Sequence, residues 1–361
     1  MKILHCADIH LDSPLSGLPH NKALQRRGEI LNSFCDTVRE AAKQGFSYFI
    51  VAGDLFESSH ATGSAKSALI SAFEQCPQMT IIILTGNHDE SAFDEGFKLR
   101  LPKNVKLFED EICRIDDSEG VTFVGVDLSK VTADDLEGIE WKRENYNVLI
   151  AHGDVGTKSR YGAINLDSFW DKDVDYFALG HIHEYRKEEA GRGYACYCGC
   201  LEPRGFDETG QKGFVAINTE VLDRRQSVWF IPAAKRRAHV VNLAVGDAKS
   251  NADVINLMRQ FSGNDAIPSE DMVEFVLEGE TDEEVNLNAG IIAEGIKDLF
   301  FCVKVKDNTR VKPDYDKIAG TTSLKSQFVA LARQRISDPK LLNKVLKYGF
   351  NALNGEEIDL A

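Results

Sequence analysis

Five short clusters of aspartate, asparagine and histidine each follow an apolar run, and this pattern constrains the chain more than any other feature. Asp8-Ile9-His10 follows Met1 to Cys6, Gly53-Asp54 follows Tyr48 to Ala52, and Gly86-Asn87-His88-Asp89 follows Thr80 to Leu84. His152-Gly153-Asp154 follows Val148 to Ala151, and Gly180-His181-Ile182-His183 follows Val174 to Leu179. The runs, with Val121 to Val126 as a further one, have strand length and β-branched content. Between them, Asn21 to Lys43 and Ser64 to Gln75 repeat apolar residues at the three-to-four spacing of amphipathic helices. Strands alternating with helices predict an α/β domain. Ligands of such sheets bind beyond the carboxyl ends of the strands, where these clusters sit.

A single His or Asp after a strand is ordinarily a hydrogen-bonded turn residue. Turn chemistry does not favour histidine, yet five of the nine histidines lie in these loops. The donors are Asp8, His10, Asp54, Asn87, His152, His181 and His183. They are too many for one tetrahedral zinc and include no thiolate, and they suit two borderline-hard ions in mixed N/O coordination. Two such ions about 3.5–4 Å apart can share a carboxylate and clamp the attacking and leaving oxygens of a phosphoryl centre.

The length of 361 residues suits a core domain with a smaller unit appended. The expected division is a first domain over 1–235, a small α/β cap over 236–312 and a helical tail over 313–361. The basic stretch Pro232 to Arg237 reads as the connection between the first two. The cap reads as strand–helix–strand–helix–strand over Ala238–Leu243, Ala252–Phe261, Met272–Leu277, Ala289–Leu299 and Phe300–Val305. A net charge of -15 counts against gripping nucleic acid by bulk electrostatics. A local basic stripe, with Lys306, Arg310, Lys312, Lys317, Lys325, Arg333, Arg335, Lys340 and Lys344, reads either as solvated helix faces or as a nucleic-acid or partner surface. Cys196, Cys198 and Cys200 alternate, which reads as reduced thiols on a buried strand face rather than the two-residue gap of structural zinc. No apolar run is long enough to span a bilayer and the start carries no signal-type segment, so a cytoplasmic protein without a membrane partner is expected.

The motif order DxH, GD, GNHD, HGD, GHxH over residues 8 to 183 resembles the calcineurin-like metallophosphoesterase superfamily. The resemblance implies a four-layer β-sandwich flanked by helices. It implies that Asp8, His10, Asp54 and His183 hold one metal, that Asp54 bridges, and that Asn87, His152 and His181 complete the second. It makes His88 the general acid that protonates the leaving oxygen, and Asp89 the residue that orients its imidazole. Manganese is the metal implied, and the donor set also accepts iron, zinc or nickel.

Protein Ser/Thr phosphatases of the superfamily show GDxVDRG, whereas this chain has Gly53-Asp54-Leu55-Phe56-Glu57. That start, the opening Asp8 to Pro14 and the expected cap resemble the DNA-repair exonucleases of the SbcD/Mre group. The stretch Gly199 to Gly213 resembles bacterial YhaO-type members, which makes Arg204 a candidate phosphate contact, with a surface-loop arginine as the alternative. Some members carry a histidine three residues after the bridging Asp. Here Glu57 stands there, so either another residue such as His60 takes that role or substrate preference differs. The activity implied is a manganese-dependent 3′-to-5′ DNA exonuclease with single-strand endonuclease capacity, working with an SbcC-type coiled-coil ATPase and as a homodimer. A small-molecule phosphodiesterase or nucleotidase on the same fold is the alternative. A non-catalytic scaffold is the third reading, and it predicts lost ligands.

Overall fold

Period-two alternation decides which way each strand faces, and here it builds two sheets back to back. The computed structural model describes residues 1–57, 61–89, 91–160, 162–262 and 267–355. The first sheet contains β1 (Lys2–Cys6), β2 (Tyr48–Ala52), β3 (Thr80–Leu84) and β4 (Val105–Phe108), all parallel. The second begins with β5 (Ile112–Asp116), β6 (Val121–Val126) and β7 (Tyr146–His152). A short pair, β8 (Asp154–Val155) and β9 (Ala163–Ile164), precedes β10 (Tyr176–Gly180), β11 (Arg186–Ala190) and β12 (Gly193–Tyr197). The chain then returns to the first sheet through β13 (Gly213–Asn218) and β14 (Val228–Pro232). Strand orders are β14-β13-β1-β2-β3-β4 and β11-β12-β10-β7-β6-β5.

Alternate residues of each strand feed different cores. Ile3, Ile50, Ile82, Val148, Ala178 and Val215 fill the space between the sheets. Leu4, Phe49, Val51, Ile81 and Ile83 face the other way and pack with Ile30, Phe34 and Val38 of α1 (His20–Lys43) and Leu69 and Phe73 of α2 (Gly63–Glu74). On the far side, Leu149, Phe177 and Leu179 pack with Leu136, Leu166 and Phe169. Helices, sheet, sheet and covering segments make the four layers expected. The expected strands are present, and β4, β5, β8, β9 and β11 are added to them. Cys196 and Cys198 sit in the inter-sheet core as free thiols, and Cys200 is buried and free as well.

The chain divides into two compact units, one of Met1–Val241, Ser262–Phe275 and Ile296–Lys304, the other of Asn242–Phe261, Val276–Gly295 and Val305–Ala361. A three-stranded sheet of Ala238–Ala244, Met272–Glu278 and Cys302–Asp307 follows the sandwich in sequence. In the second unit, helices Tyr315–Ala319, Leu324–Arg335 and Pro339–Asn354 bury Val329, Ala332, Leu346 and Phe350 among themselves. Asp314, Ser323 and Asp338 cap their amino ends by accepting backbone N–H bonds.

Within the first unit, the Pro232–Arg237 connection is anchored rather than solvated. Arg236 is buried and donates from Nε and Nη2 to the two oxygens of Glu29, at 2.8 and 2.7 Å. Arg26, fully buried, donates to Glu29 at 3.2 Å and also to Glu202. Burial alone would raise the Glu29 carboxyl, but Arg236 and its other donors hold it at about 2. Burial pushes His5, which is bonded to Tyr176 Oη at 2.8 Å, down to about 3.

Both shifts lie below the unfolded values, so both contributions are present at neutral pH and fade on acidification. Stability is expected to fall as pH drops from about 6.5 toward 3 through His5, and from about 4.5 toward 2 through Glu29. Urea midpoints across that range test this, and Glu29→Gln should remove the lower part of the decline. Arg236→Ala leaves Glu29 buried without its fork partner and should cost about 3–5 kcal/mol at pH 7.

Candidate metal centre

The sandwich brings the ends of β1, β2, β3, β7 and β10 to one edge, and the backbone there is strained. Among the described residues, six non-glycine positions have positive φ, and four are candidate ligands: Asp8 (52°), His10 (47°), Asp54 (51°) and His181 (106°). Each such residue costs of order 1–3 kcal/mol and persists only where its surroundings hold it. Here the loops hold one another. Asp8 N–H donates to the Gly53 carbonyl at 3.1 Å and His10 N–H to the Asp54 carbonyl at 2.9 Å. Gly53, at φ +86°, lets the His152 ring approach, since a Cβ there would lie 2.1 Å from His152 Nδ1.

Asp54 is the centre of the arrangement. Its Oδ2 lies 3.5 Å from His10 Nε2 and 3.3 Å from His152 Nε2, while Oδ1 accepts the His88 N–H at 3.0 Å. Burial favours the neutral carboxyl, yet His152 and its other partners hold it well below the usual carboxylate range. Burial likewise pulls His152 down, and Asp54 more than reverses it, to about 9. His152 Nδ1 bonds the Ala52 carbonyl at 2.9 Å, which turns Nε2 inward. Asp8, fully buried, accepts the His181 N–H at 2.9 and 3.1 Å and lies 3.9 Å from His183 Nε2. The His181 ring stands 5.4 Å from that of His152, and the His183 ring 5.2 Å from that of His10. Asn87 is exposed in the turn before His88.

These side chains fit divalent cations. Asp8, His10 and His183 form one cation-sized group, and Asp8, Asp54 and His152 form another. Nε2 of His10 and Nε2 of His152 are buried and have no hydrogen-bond partner among the described residues. Leaving buried polar atoms unpaired costs about 1–3 kcal/mol each, so such nitrogens beside buried carboxylates mark ligand positions. Oxygen and imidazole donors of this kind suit manganese, iron or zinc.

Asp89 does not orient His88, contrary to expectation. Its buried carboxylate accepts the N–H groups of Gly86, Phe56 and Leu55 at 2.9, 2.8 and 3.3 Å, tying the β2 loop to the β3 loop. Burial, outweighing these bonds, raises it to about 7. Glu57 holds the imidazole instead, with Oε1 2.8 Å from His88 Nδ1 and Oε2 3.3 Å from His10 Nδ1. Glu208, which the motifs do not announce, lies 2.8 Å from His183 Nδ1 and accepts Arg204 Nη2 at 2.7 Å. Burial raises Glu208, but His183 and Arg204 override it and hold the carboxyl far below its ordinary value. Arg204 is thus drawn into the site, whereas His60 lies outside the described residues. A DxH or GNHD motif signals ligands by local spacing; Glu57 and Glu208 are recognisable only once loops distant in sequence meet.

Comparison with known proteins agrees with this geometry. The calcineurin-like phosphoesterase family matches residues 1–185. The uncharacterized metallophosphoesterase YhaO of Bacillus subtilis (strain 168) is 24% identical over 234 residues, covering 60% of this chain and 57% of that protein. The DNA double-strand break repair protein Mre11 of Aeropyrum pernix is 23% identical over 278 residues, covering 71% of this chain and 66% of that one. The chain therefore spans less than two thirds of the length of these relatives. Among solved structures, TT1561 of Thermus thermophilus aligns with a TM-score of 0.40 at 10% identity, over 64% of this chain and 98% of that one. A dimetal phosphatase from Danio rerio aligns with a TM-score of 0.39 at 11% identity, over 60% and 91%. With the family match spanning 185 of 361 residues and all its strand-end motifs in place, this chain belongs to the calcineurin-like phosphoesterase family.

Proposed function

We propose that this phosphoesterase is a two-metal phosphodiesterase that cleaves DNA, working as a manganese-dependent 3′-to-5′ exonuclease with single-strand endonuclease capacity. The observation that carries the two-metal reading is Asp54, placed between His10 and His152 with one oxygen 3.5 and 3.3 Å from their ring nitrogens. Asp8, His10, Asp54 and His183 would hold one cation, and Asp54, Asn87, His152 and His181 the other. Bound there, the pair supplies an activated water and neutralises charge on the phosphoryl oxygens. His88 carries the proton for the leaving oxygen. Glu57 accepts from Nδ1, so that Nε2 is the nitrogen left to donate.

DNA as substrate is supported by the likeness to a DNA double-strand break repair protein, at 23% identity. From the motif resemblance alone we also infer an SbcC-type coiled-coil ATPase as partner, a homodimer, and division into nuclease, cap and docking tail at the boundaries given above. The competing reading, a small-molecule phosphodiesterase, draws on charge. The trough lined by His181, His183, Glu184, Asp207, Glu208, Thr209 and Lys212 holds three acids against one lysine apart from its histidines, where a DNA backbone would call for clustered cations.

Labelled duplex and single-stranded DNA, assayed with Mn²⁺ beside bis(p-nitrophenyl) phosphate and a cyclic nucleotide, separate the two. The DNA reading expects processive 3′-end loss that weakens steeply with salt. Turnover confined to the small substrates would refute it. His88→Ala should keep its cations and lose roughly 10²–10⁴-fold in kcat. Loss of metal in that variant would contradict the acid role. Asp54→Asn should fail to load a full pair, read as bound metal per chain, because it weakens both positions at once.

A further inference from the structure

We infer that Arg204 and Glu208 form a positioning pair for the cation at Asp8, His10 and His183, an inference that rests on the two-cation reading above. Glu208 has no free capacity of its own. Oε1 accepts from Arg204 Nη2 and Nε at 2.7 and 3.1 Å and lies 2.8 Å from His183 Nδ1. Oε2 accepts the Arg204 backbone N–H at 2.6 Å and faces Cys200 Sγ at 3.7 Å. Lys212 donates to the His183 carbonyl at 2.7 Å, which fixes the same residue from its main chain.

His183 Nδ1 is also 2.9 Å from Arg204 Nη2, and only one of its two neighbours can be satisfied in a given tautomer. With the proton on Nδ1, the ring donates to Glu208 and Nε2 offers its lone pair toward Asp8, 3.9 Å away. With the proton on Nε2, Nδ1 accepts from Arg204 and the nitrogen facing Asp8 cannot ligate. The Glu208 carboxylate therefore selects the ligating tautomer, as carboxylates behind metal-bound histidines do. Arg204 holds that carboxylate in place.

The same guanidinium reaches a second carboxylate. Arg204 Nη1 lies 3.9 Å from Glu57 Oε2, and Glu57 in turn faces His10 and His88. One cation thus stands between the two acids that steer three imidazoles. Its Nε and Nη2 donors are engaged with Glu208, and Nη1 is the end turned toward Glu57. The loop is pinned from behind as well. Glu202 accepts from Arg26, from Ser33 Oγ at 2.6 Å and from the Lys235 N–H at 2.7 Å, and Arg26 also donates to the Pro203 carbonyl at 3.1 Å.

Mn²⁺ titration of the full chain, with bound metal counted per chain and KM for bis(p-nitrophenyl) phosphate measured at saturating Mn²⁺, tests the pair. Arg204→Ala and Glu208→Ala should each weaken one of the two Mn²⁺ equivalents by about 10–100-fold, leave the other unchanged and keep KM near wild type. Arg204→Lys keeps the charge but not the Nε–Nη2 fork and should not restore affinity. Glu208→Gln, close in shape, substitutes for the alanine variant should that one fail to fold, with the same expected loss. Wild-type affinity for both equivalents in the Arg204 and Glu208 variants, with or without a raised KM, overturns the inference alone. A wild-type chain that binds fewer than two equivalents overturns the two-cation reading and this inference with it.

Discussion

The arrangement depends on the cost of burying negative charge. Asp8 and Asp54 are almost completely removed from water, and neither makes a salt bridge to lysine or arginine among the described residues. Their partners are imidazoles and backbone N–H groups, which compensate two carboxylates only partly. Such a site is built to receive positive charge from outside the chain. Two buried carboxylates, with imidazoles around them, meet that requirement in a place where hydrophobic side chains would otherwise pack.

That uncompensated charge explains the form of the sandwich edge. A pair of cations needs ligands from several directions at short range, and no single loop can supply them. Parallel strands deliver loop after loop to one edge, and the second sheet contributes β7 and β10 from across the core. Left-handed backbone at Asp8, His10, Asp54 and His181 aims the side chains inward at an energetic cost, and the inter-sheet core supplies the rigidity that sustains it. Asp89 belongs to this support. By committing its carboxylate to three backbone N–H groups, it locks the loops that carry Asp54 and His88 against each other.

The convergence of the candidate ligands was legible because each is written beside the strand that positions it. A strand ending in Asp-x-His or Gly-Asp states both the residue type and its place in space. The central strands were legible for the same reason, being apolar on both faces. β11 was not: its sequence Arg186-Lys-Glu-Glu-Ala190 is exposed except at Ala190, and pairing with β12 makes it a strand despite its composition. Glu57 and Glu208 were unreadable as partners because their meaning lies in contacts across 31 and 25 residues of sequence. The role expected of Asp89 failed for a related reason. Adjacency to His88 in sequence suggested a hydrogen bond, but the turn points the two side chains apart, His88 toward Glu57 and Asp89 into the core.

Glu57 shows how a departure from a familiar motif can be compensated. At this position a carboxylate divides its oxygens between His88 and His10. A histidine could offer only one acceptor nitrogen in a given tautomer, whereas a carboxylate presents one oxygen to each ring. The rings of His88 and His10 therefore face one side chain. Moving either ring disturbs the surroundings of the other through Glu57.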